Sequence, residues 1–153
     1  MNFIDNRMIA DVKVLNSSDV GLPRYSHPGD SGVDLYAIED TVVSPNSTTI
    51  VKTGLQVAIP DGCELQIRSR SGLALKEGIF VLNSPGTIDS GYRNQIGVIL
   101  YNIERDRFYI KKGDRIAQAV LCPVIGINWV EVENASDLDE TERNLGGFGS
   151  TGL

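Results

Sequence analysis

Two cysteines, one histidine and one tryptophan among 153 residues leave several chemistries without their reagents. Cys63 and Cys122 are far apart, and each falls in a strand-like run, so neither a disulfide framework nor a CxxC metal motif is present. His27 with two distant thiols cannot assemble a zinc site. The thiols read as buried side chains of a protein kept in a reducing compartment. Positive charge is also in deficit, 14 Lys and Arg against 20 Asp and Glu, for a net charge of −6. Such a chain has no general attraction for a nucleic-acid backbone, so nucleic acid is not an expected partner and any bound phosphate needs a local cradle. No apolar run approaches the roughly 20 residues needed to cross a bilayer. The N-terminal stretch carries Asp5, Arg7, Asp11 and Lys13 among its apolar residues, unlike a secretion signal. The expectation is a cytoplasmic protein with no membrane partner.

What is present is short-range alternation. With 41% hydrophobic residues the chain can bury one core without disulfide or metal support. The runs Val33 to Ala37, Thr48 to Val51, Leu55 to Ile59 and Cys63 to Arg68 alternate or cluster as strands do. Further strands are expected at Gly78 to Leu82, Gln95 to Asn102, Arg107 to Ile110, Ile116 to Val124 and Trp129 to Val132. Turn signals such as Pro60-Asp61-Gly62 and Ser84-Pro85-Gly86 separate them. Helix is expected only at Ser71 to Lys76, ended by Gly78, and at Asp137 to Arg143. The pattern implies an all-β fold, a two-sheet jelly-roll-like β-sandwich whose strand edges need covering, and oligomerisation is one way to cover them. One domain over residues 1–142 and a tail over 143–153 account for the chain.

Five segments could carry chemistry. Arg68-Ser69-Arg70-Ser71-Gly72 sets guanidinium groups and hydroxyls at a strand-to-helix transition, a suitable place for phosphate or, more plainly, a capped helix with solvated arginines. Gly86 to Arg93 reads as a hairpin turn presenting Asp89 and Tyr92. With one histidine in the chain, a carboxylate is the better general base for hydrolysing a phosphoanhydride, and Asp89 is the choice, although a turn also uses Asp for its own hydrogen bonds. Asp34 and Gln118, each near a Gly turn and a strand start, could face a polyphosphate and its metal or be ordinary strand-edge polar residues. The tail Arg143 to Gly152 has four glycines, an arginine, two hydroxyls and Phe148, which suit a loop that wraps an anion and stacks on a ring. It has no Lys before Ser150 and no following helix, so it is not a Walker A loop, and its composition alone would also fit a flexible Gly/Ser extension.

Taken together, SGVDL, RSGLA, GTIDxxYR, GDRIAQ and GGFGSTG, from about Ser31 to Gly152, resemble the five motifs of the trimeric dUTP pyrophosphatase (dUTPase) family. The resemblance implies a jelly-roll homotrimer with active sites at subunit interfaces, each closed by the tail of a neighbouring subunit. It implies hydrolysis of dUTP to dUMP and pyrophosphate by water attack on the α-phosphorus, which lowers dUTP and supplies dUMP for thymidylate synthesis. Carried over, Asp89 orients the attacking water, and Tyr92 packs beneath the deoxyribose and excludes a 2′-hydroxyl. Asn83, Thr87, Ile88 and Gly97 line the uracil pocket. Arg70, Ser71, Gly72 and Gln118 hold the phosphates, while Arg143, Phe148, Gly149 and Ser150 cap the site. The cofactor implied is Mg²⁺, held mainly by substrate phosphate and water, with Asp34 acting on it only through a bound water.

Three positions depart from the family pattern. Ser69 stands where proline commonly precedes Arg-Ser-Gly, Asn94 where glycine follows Tyr-Arg, and Asn144 where glycine follows the tail arginine. Asn tolerates left-handed backbone, so the last two changes are mild. A dCTP deaminase, the alternative on the same fold, needs an acid on the strand after the turn, and that strand reads Gly97-Val98-Ile99-Leu100-Tyr101-Asn102. A nucleotide-binding regulatory module is the alternative of a different class. The presence of Asp89, Tyr92 and the full tail favours catalysis.

Overall fold

The computed structural model describes residues 2–4, 7–141, 144 and 146. Among them run thirteen short strands, one α-helix and one 3-10 turn, in the order β1 (Asn2–Ile4), β2 (Arg7–Ile9), β3 (Lys13–Asn16), β4 (Val33–Tyr36), β5 (Thr41–Val43), β6 (Ser47–Lys52), β7 (Leu55–Ala58), β8 (Cys63–Arg68), α1 (Ser71–Glu77), β9 (Ile79–Val81), β10 (Gly86–Ile88), β11 (Gly97–Asn102), β12 (Phe108–Ile110), β13 (Arg115–Pro123) and η1 (Ala135–Asp137). A four-stranded sheet in the order β10-β8-β13-β4 and a three-stranded sheet β6-β11-β9 form the two main layers, with the pairs β5-β12 and β3-β7 completing the sandwich. Every strand pair is antiparallel.

The alternation in the sequence sets which side of each strand is buried. In β11, Val98, Leu100 and Asn102 point inward while Ile99 and Tyr101 face outward. Leu35, Val43, Val51, Ile67, Ile79, Val98, Leu100, Ile110 and Ile116 belong to one continuous core and are at most 3% exposed. Burying each such side chain stabilises the fold by roughly 1.5–3 kcal/mol relative to leaving it in water. Asn102 is the polar exception at full burial. Its Nδ2 donates to the carbonyls of Val43 at 3.1 Å and Asp106 at 2.8 Å, and its Oδ1 accepts from the Glu104 amide at 2.8 Å. This satisfies the side chain and ties the β11 end to two loops.

The first helix lies where composition places it. Gly78, at φ 62°, ends α1 in the left-handed conformation and returns its amide to the Leu73 carbonyl. A Cβ there would come within 2.7 Å of Glu104 Cγ, so only glycine fits without displacement. Asn144 takes φ 39°, as an asparagine substituting for glycine can. Asn94 instead accepts the Gln95 amide on its own Oδ1 at 2.7 Å. Both cysteines are free thiols, half-buried rather than enclosed.

Two expected elements do not form. Residues 129–132 have the alternation of a strand but pair with nothing, and Ile125, Ile127, Trp129 and Val130 are 92%, 73%, 86% and 76% exposed. A strand is stabilised by its partner's ladder, and the described residues offer 129–132 none. In place of the expected helix, the described residues from 135 to 141 form only the turn η1, closed by Asn134 and Asp137 capping each other. Leu138 then becomes extended, at φ −84° and ψ 138°. An isolated helix of that length with no buried face has too little to offset its nucleation cost. No described helix is long and apolar enough to cross a membrane.

Candidate active site

The expected phosphate residues converge where β4, β8 and β13 run side by side. Register sets Gln118 of β13 opposite both Asp34 of β4 and Arg68 of β8. Two residues beyond Arg68 the chain leaves the sheet, and the Arg70 side chain turns back over it. Arg70 Nε donates to Asp34 Oδ1 at 2.9 Å, and its Nη1 donates to the Arg115 carbonyl at 3.0 Å. Arg115 Nη1 reaches the other Asp34 oxygen at 3.3 Å. One carboxylate thus holds two guanidinium groups, whose remaining N–H groups are the donors available to a phosphate. Arg70 and Arg115 line an open cleft of about 220 Å³ with Asp114, Leu73 and Phe108, so that Asp34 and Asp114 balance the two arginines there. Ser71 and Gly72, exposed at the start of α1, border this region. Gln118 Nε2 donates to the Ser69 carbonyl at 2.9 Å, so its amide steadies the turn that carries Arg70.

The expected base residues form a second, much smaller cleft of about 40 Å³. Asn83, Thr87, Ile88 and Gly97 line it together with Ile67, Val81, Gly86 and Ile99. It arises because β10 pairs with β8, Gly86 opposite Ile67 and Ile88 opposite Leu65, while β11 supplies Gly97 and Ile99 from the other sheet. Gly86 is required by close approach: a Cβ there would meet Asn83 Nδ2 at 3.0 Å. The polar amide of Asn83 and the backbone of β10 therefore face a cleft with apolar walls, the composition expected for a small planar ligand.

Immediately after Ile88 the chain turns, with the Tyr92 amide donating to the Asp89 carbonyl at 3.0 Å. Tyr92 OH donates to the Gln95 carbonyl at 2.9 Å, which fixes the ring, and Arg93 Nη1 donates to the carbonyls of Ser90 and Tyr92 at 2.6 and 2.8 Å. Asp89 is exposed and its carboxylate has no side-chain partner among the described residues. It is free to accept a proton from water. His27 lies elsewhere and is occupied with Asp30, whose Oδ2 accepts its amide at 2.8 Å. The two carboxylates held below their ordinary range line neither cleft: Asp19 by its hydrogen bond with Lys112, and Asp40 by the Lys112 amide and then the Lys111 ammonium.

The two clefts are not one site. They share no lining residue. Ile88 stands opposite Leu65, so Asp89 falls at the Glu64 level of β8, whereas Arg70 lies beyond the far end of that strand. The Arg70 guanidinium sits on Asp34, level with Arg68, four strand residues from the Glu64 level, or about 13 Å along β8. Arg143, Phe148, Gly149 and Ser150 lie outside the described residues. Reasoning from the sequence did not reveal Arg115 and Ser69 as connecting residues, since their partners are 81 and 49 residues away in the chain. Among the described residues no three His, Cys, Asp or Glu side chains gather as a metal cage.

A sequence model of the dUTPase family matches residues 18–152. The chain is similar to the deoxyuridine 5'-triphosphate nucleotidohydrolase of Picosynechococcus sp., 56% identical over 131 residues that span 86% of this chain and 90% of the relative. Its fold is similar to that of a variant of the Staphylococcus bacteriophage 80alpha dUTPase with dUpNHpp, with a TM-score of 0.84 and 26% identity over 95% of this chain and all of that one. It is also similar to a dUTPase from phage phi11 of S. aureus, a structure described as revealing the coordination of a structural Mg(II) ion, with a TM-score of 0.75 and 24% identity over 82% of this chain and 98% of that one.

Proposed function

The chain belongs to the dUTPase family, and on that premise we propose that it hydrolyses dUTP to dUMP and pyrophosphate by attack of water on the α-phosphorus. The observation that carries the reading is the small cleft of Asn83, Thr87, Ile88 and Gly97, with the free carboxylate of Asp89 at the end of the strand that lines it. Uracil enters that cleft and pairs with the Asn83 amide and the β10 backbone. Such fixed groups discriminate by leaving polar atoms unpaired when the wrong base enters, and the apolar wall leaves no room for the 5-methyl of thymine. Tyr92, its ring held by Gln95, packs beneath the sugar and rejects a 2′-hydroxyl. Asp89 orients the water for in-line attack and takes its proton.

Arg70, Ser71, Gly72 and Gln118 bind the phosphates, with Asp34 setting the orientation of Arg70. The separation of Arg70 from Asp89 along β8 supports a site shared between copies of the chain, and so a homotrimer in which the hairpin of one subunit meets the phosphate residues of another. Exposure of Ile125, Ile127, Trp129 and Val130 supports the same assembly, because they need an apolar partner surface. The tail residues Arg143, Phe148, Gly149 and Ser150 cap the nucleotide in this reading, on the strength of the family resemblance.

The donor set fits a magnesium ion carried by the substrate. Mg²⁺ would be held mainly by phosphate oxygens and waters, and Asp34, which keeps lone pairs beside its arginine bonds, would receive one such water. When bound, the ion supplies charge neutralisation on the triphosphate.

The test is pyrophosphate release from dUTP, dTTP, dCTP and UTP side by side with Mg²⁺, expected for dUTP alone at appreciable rate. Faster turnover of dTTP or UTP would remove the assigned roles of the cleft wall or of Tyr92.

A further inference from the structure

Ser69 lies between β8 and α1, outside any ladder, yet all its polar groups are engaged with other parts of the chain. Its Oγ accepts the Val81 amide at 3.0 Å, its own amide donates to Ser84 Oγ at 3.3 Å, and its carbonyl accepts Gln118 Nε2 at 2.9 Å. Val81 and Ser84 flank Asn83, the polar side chain of the base cleft, and the Ser84 amide closes the turn on the Val81 carbonyl at 3.2 Å. Another backbone anchor of this turn is the Leu82 amide on the Ile99 carbonyl at 2.9 Å. On the other side Ser69 adjoins Arg70, which is clamped on Asp34.

We propose that Ser69 is a positioning residue of the reaction: it fixes the height of the base-reading turn 82–85 against the loop that carries Arg70 and Gln118. The inference rests on the functional reading above and deepens it. A proline at this position, which the family resemblance leads one to expect, has neither the N–H for Ser84 nor the hydroxyl for Val81. The chain therefore secures with side-chain and amide hydrogen bonds a junction that proline would secure by restricting φ. The residue does not touch the nucleotide. It acts through Asn83 on one side and Arg70 on the other, each in the separate half-site it serves, so its effect falls on substrate binding.

The test compares Ser69→Ala, Ser69→Thr and Ser84→Ala with the wild type. In Ser69→Ala, KM for dUTP should rise roughly three- to tenfold, the equivalent of one neutral hydrogen bond. kcat should stay within about twofold, because the water-orienting group and the phosphate residues are intact. Preference for dUTP over dTTP should fall, and exchange of the Val81 amide should accelerate while that of Val98 in the adjoining strand does not. Ser69→Thr keeps the hydroxyl and should restore both. Ser84→Ala removes only the acceptor of the Ser69 amide, so it should raise KM by a smaller factor in the same direction, and it serves if Ser69→Ala fails to fold. A KM equal to that of wild type in folded Ser69→Ala, a loss confined to melting temperature, or a KM that Ser69→Thr leaves raised overturns the positioning role. A wild-type protein that releases no pyrophosphate from dUTP overturns the functional reading, and the role of Ser69 with it.

Discussion

Replacing Asp34 with Asn sets two effects of opposite sign against each other. The carboxylate side chain is 18% exposed and holds Arg70, 26% exposed, and Arg115, 53% exposed. An asparagine can still accept from Arg70 Nε, but it turns an amide donor toward Arg115 and carries no charge. Losing the charge assistance on the drier bond costs about 1 kcal/mol, and the half-exposed Arg115 contact adds between about 0 and 1. For a chain of this size that lowers Tm by roughly 3–6 °C. At the phosphates, removing one negative charge about 6 Å away favours the anion by roughly 0.7 kcal/mol in water. Releasing Arg70 into several rotamers costs up to about 2 kcal/mol when it must be reordered around the substrate. Orientation wins by a little over 1 kcal/mol, so kcat/KM for dUTP should fall by about tenfold.

The assay is steady-state pyrophosphate release across a Mg²⁺ titration, with inhibition by free pyrophosphate measured in parallel. The loss should persist at saturating Mg²⁺, while pyrophosphate, small enough to find any arginine rotamer, should inhibit as well as before or better. A kcat/KM equal to or above wild type would refute the reasoning, since attraction would then outweigh orientation. A loss that vanishes at high Mg²⁺ would instead show Asp34 acting through the water shell of the metal.

Asp89→Asn preserves size and polarity but removes the proton acceptor, so kcat should drop by on the order of 10²-fold with KM little changed, read by steady-state kinetics. Mixing Asp89→Asn with Arg70→Ala subunits should recover activity, because about a quarter of randomly mixed sites then draw both intact groups from different chains. No recovery after subunit exchange would place both groups in one chain's site. Gly86→Ala leaves the backbone unstrained but pushes the Asn83 amide back by a few tenths of an ångström from its 3.0 Å approach. KM for dUTP should therefore rise by roughly three- to tenfold with Tm nearly unchanged. Asn102→Leu strands the partners of three hydrogen bonds at a fully buried position, which should cost roughly 3 kcal/mol and lower Tm by roughly 6–12 °C in calorimetry.

What could be read along the chain was local. Alternation in Val98-Ile99-Leu100-Tyr101-Asn102 depends on a period of two that any strand obeys, and Gly78 ends α1 because a left-handed residue is needed there. Asn83, Thr87 and Ile88, grouped by the family resemblance, lie close together in the chain, and the structure places them around one cleft. Contacts set by long-range register were not legible. Asp34 meets Arg115 only because β4 pairs with β13 through the irregularity between Arg115 and Ala117, and nothing near either residue announces the other. Ser69 and Ser84 are both serines in turns until β8 and β10 are laid side by side. Trp129 to Val132 shows the converse failure: the local pattern of a strand is intact, but pairing requires a partner that local pattern cannot supply.

The divided site has its physical cause in strand register. Antiparallel pairing of β10 with β8 places Asp89 and Arg70 at opposite ends of a six-residue strand, although only nineteen positions separate them in the chain. No side-chain rotamer spans that gap, and moving either group would break a ladder that also buries Ile67 in the core. In the proposed reading the chain therefore carries two half-sites. It also carries an apolar segment, 125–130, that the described residues leave exposed. Association of copies in the proposed trimer supplies the strand segment with a partner and each half-site with its complement. A carboxylate poised to activate water would then meet a bound triphosphate only in the assembled protein, where the remaining N–H groups of Arg70 and Arg115 are available to the phosphates.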